Sequence, residues 1–364
     1  MRLAPLKLDR NEMSPAVIGV GTALPRNYAN QEQLTAALRD LWSTRYSDLR
    51  RFDQIHDALG ISGRHLAVPM DEYYALDTFA KSNDAWIRVA PELGIAAVQN
   101  ALADARVKPD EIDHFFFVTV TGIATPSVDT RIISALGMRP NIKRTPVFGL
   151  GCVAGAAGMS RAADYVRAFP RDTALLLSIE LCSLTLQRND FSVANMIASG
   201  LFGDGAAALV IGNTARAKPE HPQIIATRSI LYPETENILG WELVEGGFKI
   251  VLSSRLTELV GRNIRGEVDS FLKENGVERS NIRHWIAHAG GPKVLRVLEE
   301  SLELAEGALI RSWQSLKSLG NLSSASVLFI LEDLVTEAPP ARGDYGLVIA
   351  MGPGFSVELI LLRW

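Results

Sequence analysis

Leu102-Ala-Asp-Ala-Arg-Val-Lys-Pro-Asp-Glu-Ile-Asp-His-Phe115 has a second version in the same chain, Leu272-Lys-Glu-Asn-Gly-Val-Glu-Arg-Ser-Asn-Ile-Arg-His-Trp285. Leucine, valine, isoleucine, histidine and an aromatic recur at one fixed offset. Nearly the same offset carries Gly151-Cys152 onto Gly320-Asn321, each followed by small residues and a helical pattern. Further on, Gly203-Asp-Gly-Ala-Ala-Ala-Leu-Val-Ile parallels Gly343-Asp-Tyr-Gly-Leu-Val-Ile. One match is within reach of chance. Three in the same order indicate two copies of one α/β unit, residues 1–219 and 220–364.

Outward from the repeat, strands and helices alternate. Leu93 to Ala105 has helical periodicity and leads into the apolar strand His114-Phe-Phe-Phe-Val-Thr-Val. Ala16-Val-Ile-Gly-Val-Gly and Ala174-Leu-Leu-Leu-Ser-Ile-Glu180 read as buried strands, and Asn30 as the N-cap of a helix through Trp42. Arg50 to Pro69 is mixed and basic, which predicts surface helix and loop, and residues 1–14 read as a loosely held leader. The alternation predicts an α/β protein with helices packed on buried sheets.

Composition narrows the function classes. The 364 residues are 47% hydrophobic and 21% charged, with a formal charge of −4, so there is no basic footprint for nucleic acid. No stretch approaches the roughly 20 uninterrupted apolar residues of a membrane helix, and no signal peptide precedes the first strand. Cys152 and Cys182 are the only cysteines, so no disulfide framework exists and a cytoplasmic setting is expected. The six histidines have no metal-ligand spacing, and no metal site is expected.

The chemistry concentrates at the two matched corners. In Thr145-Pro-Val-Phe-Gly-Leu-Gly-Cys-Val-Ala-Gly-Ala-Ala-Gly158, a strand runs through glycines into a small-residue helix. A cysteine near a helix N-terminus is placed to be a thiolate nucleophile, the alternative being a small buried residue in a tight corner. Trp285-Ile-Ala-His-Ala-Gly-Gly-Pro-Lys reads as a strand ending at His288, either a satisfied structural histidine or the partner of that cysteine. Pseudo-twofold packing would bring the corners of Cys152 and Asn321 together. Thiolate, imidazole and amide then suffice for acyl transfer with a held oxyanion.

With Gly151-Cys152-Val-Ala-Gly, Leu201-Phe-Gly-Asp-Gly-Ala-Ala-Ala, His288-Ala-Gly-Gly-Pro-Lys, Gly320-Asn-Leu-Ser-Ser-Ala and Gly352-Pro-Gly in this order, the chain resembles the type III polyketide synthases, the chalcone synthase-like branch of the thiolase fold. The match runs from about Val17 to the C-terminus, and Arg64-His-Leu-Ala-Val-Pro with the short length looks bacterial rather than plant-like. The resemblance implies a duplicated thiolase-like fold in five α-β-α-β-α layers, assembled as a homodimer. It implies an acyltransferase that loads an acyl-CoA starter on Cys152, extends it with malonyl-CoA by decarboxylative condensation and cyclises the product. His288 and Asn321 would polarise the malonyl thioester and stabilise the enolate. CoA thioesters would be substrates, with no covalently bound cofactor.

By the same resemblance Phe202 and Phe248 are aromatic gatekeepers between CoA tunnel and cavity. Thr125 projects into the partner's cavity, Thr185 faces the cavity, and Gly352 and Pro353 shape its wall. Thr121 and Cys182 match positions that open a long acyl passage in some bacterial members, which would favour fatty acyl starters and alkylpyrones or alkylresorcinols. Arg51, Lys293, Gly290 and Gly291 fall at CoA contacts. The chain departs from the pattern at Ala289, Ala350 and Met351, and at Gln54 and Ala58 where phosphate-gripping residues would stand. Glu236 and Asn237, bulkier than the expected glycine, predict a differently shaped cavity. Two alternatives remain: a ketoacyl-carrier-protein synthase III-like condensing enzyme, and a non-catalytic acyl-binding partner of the same fold.

Overall fold

The computed structural model describes residues 14–43 and 49–364; the leader expected over residues 1–14 otherwise lies outside them. The chain opens with β1 (Pro15–Ala23), β2 (Asn27–Asn30), α1 (Gln31–Trp42), α2 (Leu49–Ala58) and β3 (Gly63–Leu66). It continues through α3 (Phe79–Ala105), β4 (His114–Thr119), α4 (Asp129–Ala135), β5 (Lys143–Phe148), α5 (Ala154–Ala168), β6 (Ala174–Leu181), α6 (Val193–Leu201) and β7 (Asp204–Asn213). The second half has β8 (Gln223–Leu231), the hairpin β9 (Leu239–Val244) and β10 (Gly247–Leu252), then α7 (Leu256–Glu274) and β11 (Ile282–Ala287). It ends with α8 (Pro292–Leu302), α9 (Ile310–Leu319), α10 (Ser326–Glu337), β12 (Tyr345–Gly352) and β13 (Ser356–Arg363).

The large mixed sheet has the order β11-β12-β13-β8-β1-β7-β6-β4-β5, joined at its middle by the pair Ala16–Gln223. From that seam the strands mirror each other: β1, β7, β6, β4 on one side and β8, β13, β12, β11 on the other. In both halves the outer of these pairs is parallel and the inner pairs are antiparallel. The chain crosses that seam after Asn213, the last residue of β7. α3 and α4 cover the first half-sheet, α5 and α10 lie between the two halves, and α7 and α8 cover the second. This is the five-layered thiolase-like arrangement.

The repeat is local geometry written twice. Val107 N–H donates to the Leu102 carbonyl at 3.0 Å, and Val277 N–H to that of Leu272 at 3.0 Å, each closing a helix before a short turn and a strand. The third sequence match is not a repeat of position. Gly203–Ile211 enters β7, whose counterpart across the seam is β13, whereas Gly343–Ile349 enters β12, the counterpart of β6. A turn, a glycine and an apolar strand recur because both strands are buried on two faces. β4 is such a strand: Phe115 and Phe117 pack toward α3 and α4, and Phe116 and Val118 toward α5.

Two local expectations change. The helix expected from Leu93 begins at Phe79 and contains Pro91; the Ile87 carbonyl that Pro91 cannot pair accepts Arg131 Nη1 at 3.1 Å. Arg50 to Pro69 is not a surface segment throughout. Phe52 and His56 turn inward from α2, and Arg64 in β3 is only 3% exposed because its guanidinium has carbonyl acceptors inside. Asn30 caps α1 as expected, its side chain accepting from Gln33 N–H at 2.8 Å.

Candidate active site

Close approach of the two corners depends on small residues. A Cβ on Gly155, in the first turn of α5, would collide with the Ser324 carbonyl oxygen, and one on Gly352 would sit 2.7 Å from Val153 N. With glycine there, Cys152, in the turn before α5, meets the Ser323–Ala325 turn before α10. Ser323 Oγ donates to Cys152 Sγ at 3.4 Å. Asn321 Oδ1 accepts from Ser323 N–H at 2.8 Å, and Asn321 Nδ2 donates to the Gly290 carbonyl at 3.3 Å, two residues beyond His288. His288 is fixed by its own N–H on the Ile349 carbonyl at 2.8 Å, and its buried Nδ1 has no protein partner. One chain of contacts therefore runs from the sulfur through Asn321 to the segment carrying the imidazole.

Burial governs the charges. It pushes the Cys152 thiol up to about 12, with the Glu180 carboxyl adding to the rise and the Ser323 hydroxyl opposing it. It pushes His288 down to about 4. Burial thus works against the thiolate expected from the helix N-terminus and against an imidazolium beside it. Behind the sulfur, Glu180 accepts from Val120 N–H at 3.1 Å, from Thr121 Oγ1 at 2.9 Å and from Ser324 Oγ. Burial raises Glu180 to about 7.

An apolar cavity of about 110 Å³ adjoins this centre; Cys182, Thr185, Phe202 and Phe248 line it, while Cys152, His288 and Asn321 stand outside its lining. Phe202 is bridged directly to Asn321 through the backbone. Thr121 is not part of the wall, because its hydroxyl is taken by Glu180 and by Leu181 N–H at 2.9 Å. Glu236 and Asn237 are exposed ahead of β9 and do not shape the cavity. The residue that does is Trp241 in β9, with ring centroids 6.4 Å from Phe202 and 6.3 Å from Phe248. The sequence reading missed it; its one signal is register, since Trp241 pairs with the cavity-lining Ile250 of β10. Leu34, Leu38 and Leu41 of α1 extend the apolar wall.

The remaining expected residues sit around this core. Pro353 packs against Gly151, where a Cβ would lie 2.5 Å from its ring. Gly290 and Gly291 open α8, a Cβ on Gly290 would be 3.2 Å from the His288 ring, and Lys293 is exposed on that helix's first turn. Arg51 is exposed on α2. Thr125 is exposed on the loop after β4, which Asn83 holds by exchanging hydrogen bonds with both backbone groups of Ile123 at 2.8 and 2.9 Å. Among the described residues no group of three acids, histidines or cysteines is placed to hold a metal, and no helix is long and apolar enough to cross a membrane.

Known proteins resemble the chain along nearly all of its length. The family description "Chalcone and stilbene synthases, N-terminal domain" matches residues 6–215, and the corresponding C-terminal domain matches residues 223–364. A 1,3,6,8-tetrahydroxynaphthalene synthase of Streptomyces peucetius subsp. caesius is 45% identical over 351 residues, spanning 96% of this chain and 93% of the relative. An alpha-pyrone synthesis polyketide synthase-like protein of Mycobacterium tuberculosis is 32% identical, spanning 94% and 89%. The crystal structure of 1,3,6,8-tetrahydroxynaphthalene synthase from Streptomyces coelicolor superposes with a TM-score of 0.90 at 29% identity, covering 96% and 99% of the two chains.

Proposed function

This chain belongs to the chalcone and stilbene synthase family, and from that premise we infer how its own residues do the work. It is a type III polyketide synthase, an acyltransferase that condenses CoA thioesters iteratively with decarboxylation and without a further cofactor. In our reading Cys152 attacks the thioester carbonyl of the starter, and neutral His288 takes the thiol proton as the C–S bond forms and returns it to the departing CoA sulfur. Malonyl-CoA then loses CO₂, and the electron pair left behind becomes an enolate whose oxygen is held by the Asn321 amide and the imidazole N–H. A neutral imidazole suits this step, because it donates a hydrogen bond without protonating the carbanion. The enolate carbon attacks the acyl thioester on Cys152, the C–C bond forms and the cysteine sulfur leaves. The observation that carries this reading is the run of contacts from Cys152 through Ser323 and Asn321 to Gly290.

For the starter we favour a short acyl unit, malonyl-CoA itself, leading to a polyhydroxylated aromatic of the kind the Streptomyces relatives are named for. Trp241 across the gate and a cavity well below the roughly 300–1,000 Å³ of ordinary ligand pockets support this choice. The leucine wall of α1 favours a second reading, a fatty acyl starter giving an alkylpyrone or alkylresorcinol. Product analysis decides between them. Malonyl-CoA alone should give an aromatic product, and Trp241→Ala should admit hexanoyl or longer starters that the wild type uses poorly. Wild-type preference for a long acyl-CoA would favour the second reading. The exposed edge strand β5, with Phe148 52% exposed beside Leu150 and the Thr125 loop, supports a homodimer that shares Thr125 between cavities. Two free cysteines suit a cytoplasmic enzyme.

A further inference from the structure

Arg64 is a cation in the wall of the apolar cavity, only 3% exposed. Burial lowers its guanidinium to about 10, against the attraction of the Asp204 carboxyl, so it stays charged at neutral pH. Holding such a charge away from water costs several kcal/mol unless its donors are used. Nε is buried without a hydrogen-bond partner, and Nη1 donates to the Ser199 and Phe202 carbonyls, each at 2.8 Å. These belong to the end of α6, whose terminal carbonyls lack helical partners and form the negative end of its dipole. The methylene stem serves a second contact. A Cβ on Gly320, the residue before Asn321, would lie 3.0 Å from Arg64 Cδ. Between head and stem lies the bridge that ties Phe202 to Asn321, in which Asn321 N–H donates to the Leu201 carbonyl at 2.9 Å and Gly203 N–H to that of Asn321 at 3.0 Å.

We propose that Arg64 is a positioning residue for decarboxylative condensation, holding the Phe202 ring and the Asn321 amide in fixed relation through the backbone. The proposal rests on the role given above to Asn321. Starter loading depends on Cys152 and His288, whereas enolate formation also depends on where the amide points, so the two half-reactions should respond differently.

The test compares Arg64→Met, which keeps the stem and loses the donors, with Arg64→Lys, which restores one charged nitrogen able to reach two carbonyls, and with Asn321→Ala. Three readings are taken on each folded enzyme: mass shift of Cys152 on starter loading, rate of CO₂ release from malonyl-CoA, and product chain length. Loading should stay within about twofold of wild type, while decarboxylation in Arg64→Met falls at least about tenfold, as expected for a catalytic group displaced by a fraction of an ångström. Arg64→Lys should recover part of that loss. Wild-type decarboxylation by Arg64→Met, or a parallel fall in loading and decarboxylation, would overturn the proposal. If Arg64→Met does not fold, Arg64→Lys decides on the same terms: slowed CO₂ release with intact loading supports the role, and any other pattern refutes it. Normal CO₂ release by Asn321→Ala would instead remove the reading of Asn321 on which the proposal stands. Loss in Asn321→Ala with none in Arg64→Met removes the Arg64 role alone.

Discussion

Cys152, the proposed nucleophile, sits where burial disfavours its charged form. Its sulfur is buried, Ser323 Oγ donates to it at 3.4 Å, and the Glu180 carboxyl repels negative charge there. Iodoacetamide alkylation of the free enzyme at pH 7 should therefore be slow, and its rate should keep rising past pH 9 with no plateau near neutrality. A plateau below pH 8, followed by the mass of the Cys152 peptide, would mean that a thiolate forms in spite of burial. The corners on which Cys152, His288 and Asn321 stand, and hence their proposed roles, were legible in the sequence because each is glycine-flanked and follows a strand or helix end. Their ionisation was not. A helix N-terminus is visible in sequence, whereas desolvation comes from segments more than a hundred residues away, the Ser323 turn among them. Trp241 stayed hidden for a related reason: an aromatic in a short hairpin reads alike whether it faces solvent or a cavity.

Among the elements, α5 does the most to assemble the site, since it lies between the half-sheets and brings one corner against the other. Its Ala-Gly-Ala-Ala-Gly run was legible as a helix that something approaches closely; what approaches it, the Ser324 carbonyl, was fixed by the second half of the chain. Gly155→Ala should force the corners apart, lowering stability by about 1–3 kcal/mol and slowing loading and condensation together. Gly266 in α7 is the counterpart with open space, nothing lying within 4 Å of a Cβ built there. Gly266→Ala should raise stability by roughly 0.5–1 kcal/mol at unchanged activity. Denaturant midpoints and steady-state rates of the two variants check both statements, and equal effects would refute the packing argument. The repeat was legible where it is local, at the ends of α3 and α7. It misled at β7 and β12, and gave no sign that residues 310–319, placed by the offset against β5, form α9 instead. Burial on both faces makes any central strand look alike, and only pairing order tells them apart.

For the whole molecule four buried groups near the site that titrate between acid and neutral pH pull stability in opposite directions. Glu180 is raised to about 7 and Asp204 to about 6, so each contributes stability that is complete below its unfolded value, near 4, and is lost as pH rises through the folded one. His288 and His56 are both lowered to about 4, so each contributes stability that is complete above about 6.5 and is lost as pH falls toward 4. Every one of these shifts corresponds to about 3 kcal/mol over its window, and all four windows overlap between about pH 4.5 and 6. Two acids falling and two histidines rising leave the wild type nearly level there. Replacing one acid should tilt the balance. Glu180→Gln removes a loss that accompanies rising pH, so its stability, relative to wild type, should climb between pH 4.5 and 7 by about 3 kcal/mol, less whatever its broken hydrogen bond costs uniformly. Asn at His56 should tilt the curve the other way, because the term that grew with pH is gone. Urea unfolding of wild type, Glu180→Gln and His56→Asn at half-unit steps from pH 4.5 to 7.5 measures the slopes. Identical slopes in all three proteins would mean that these buried groups do not keep the ionisation their surroundings impose.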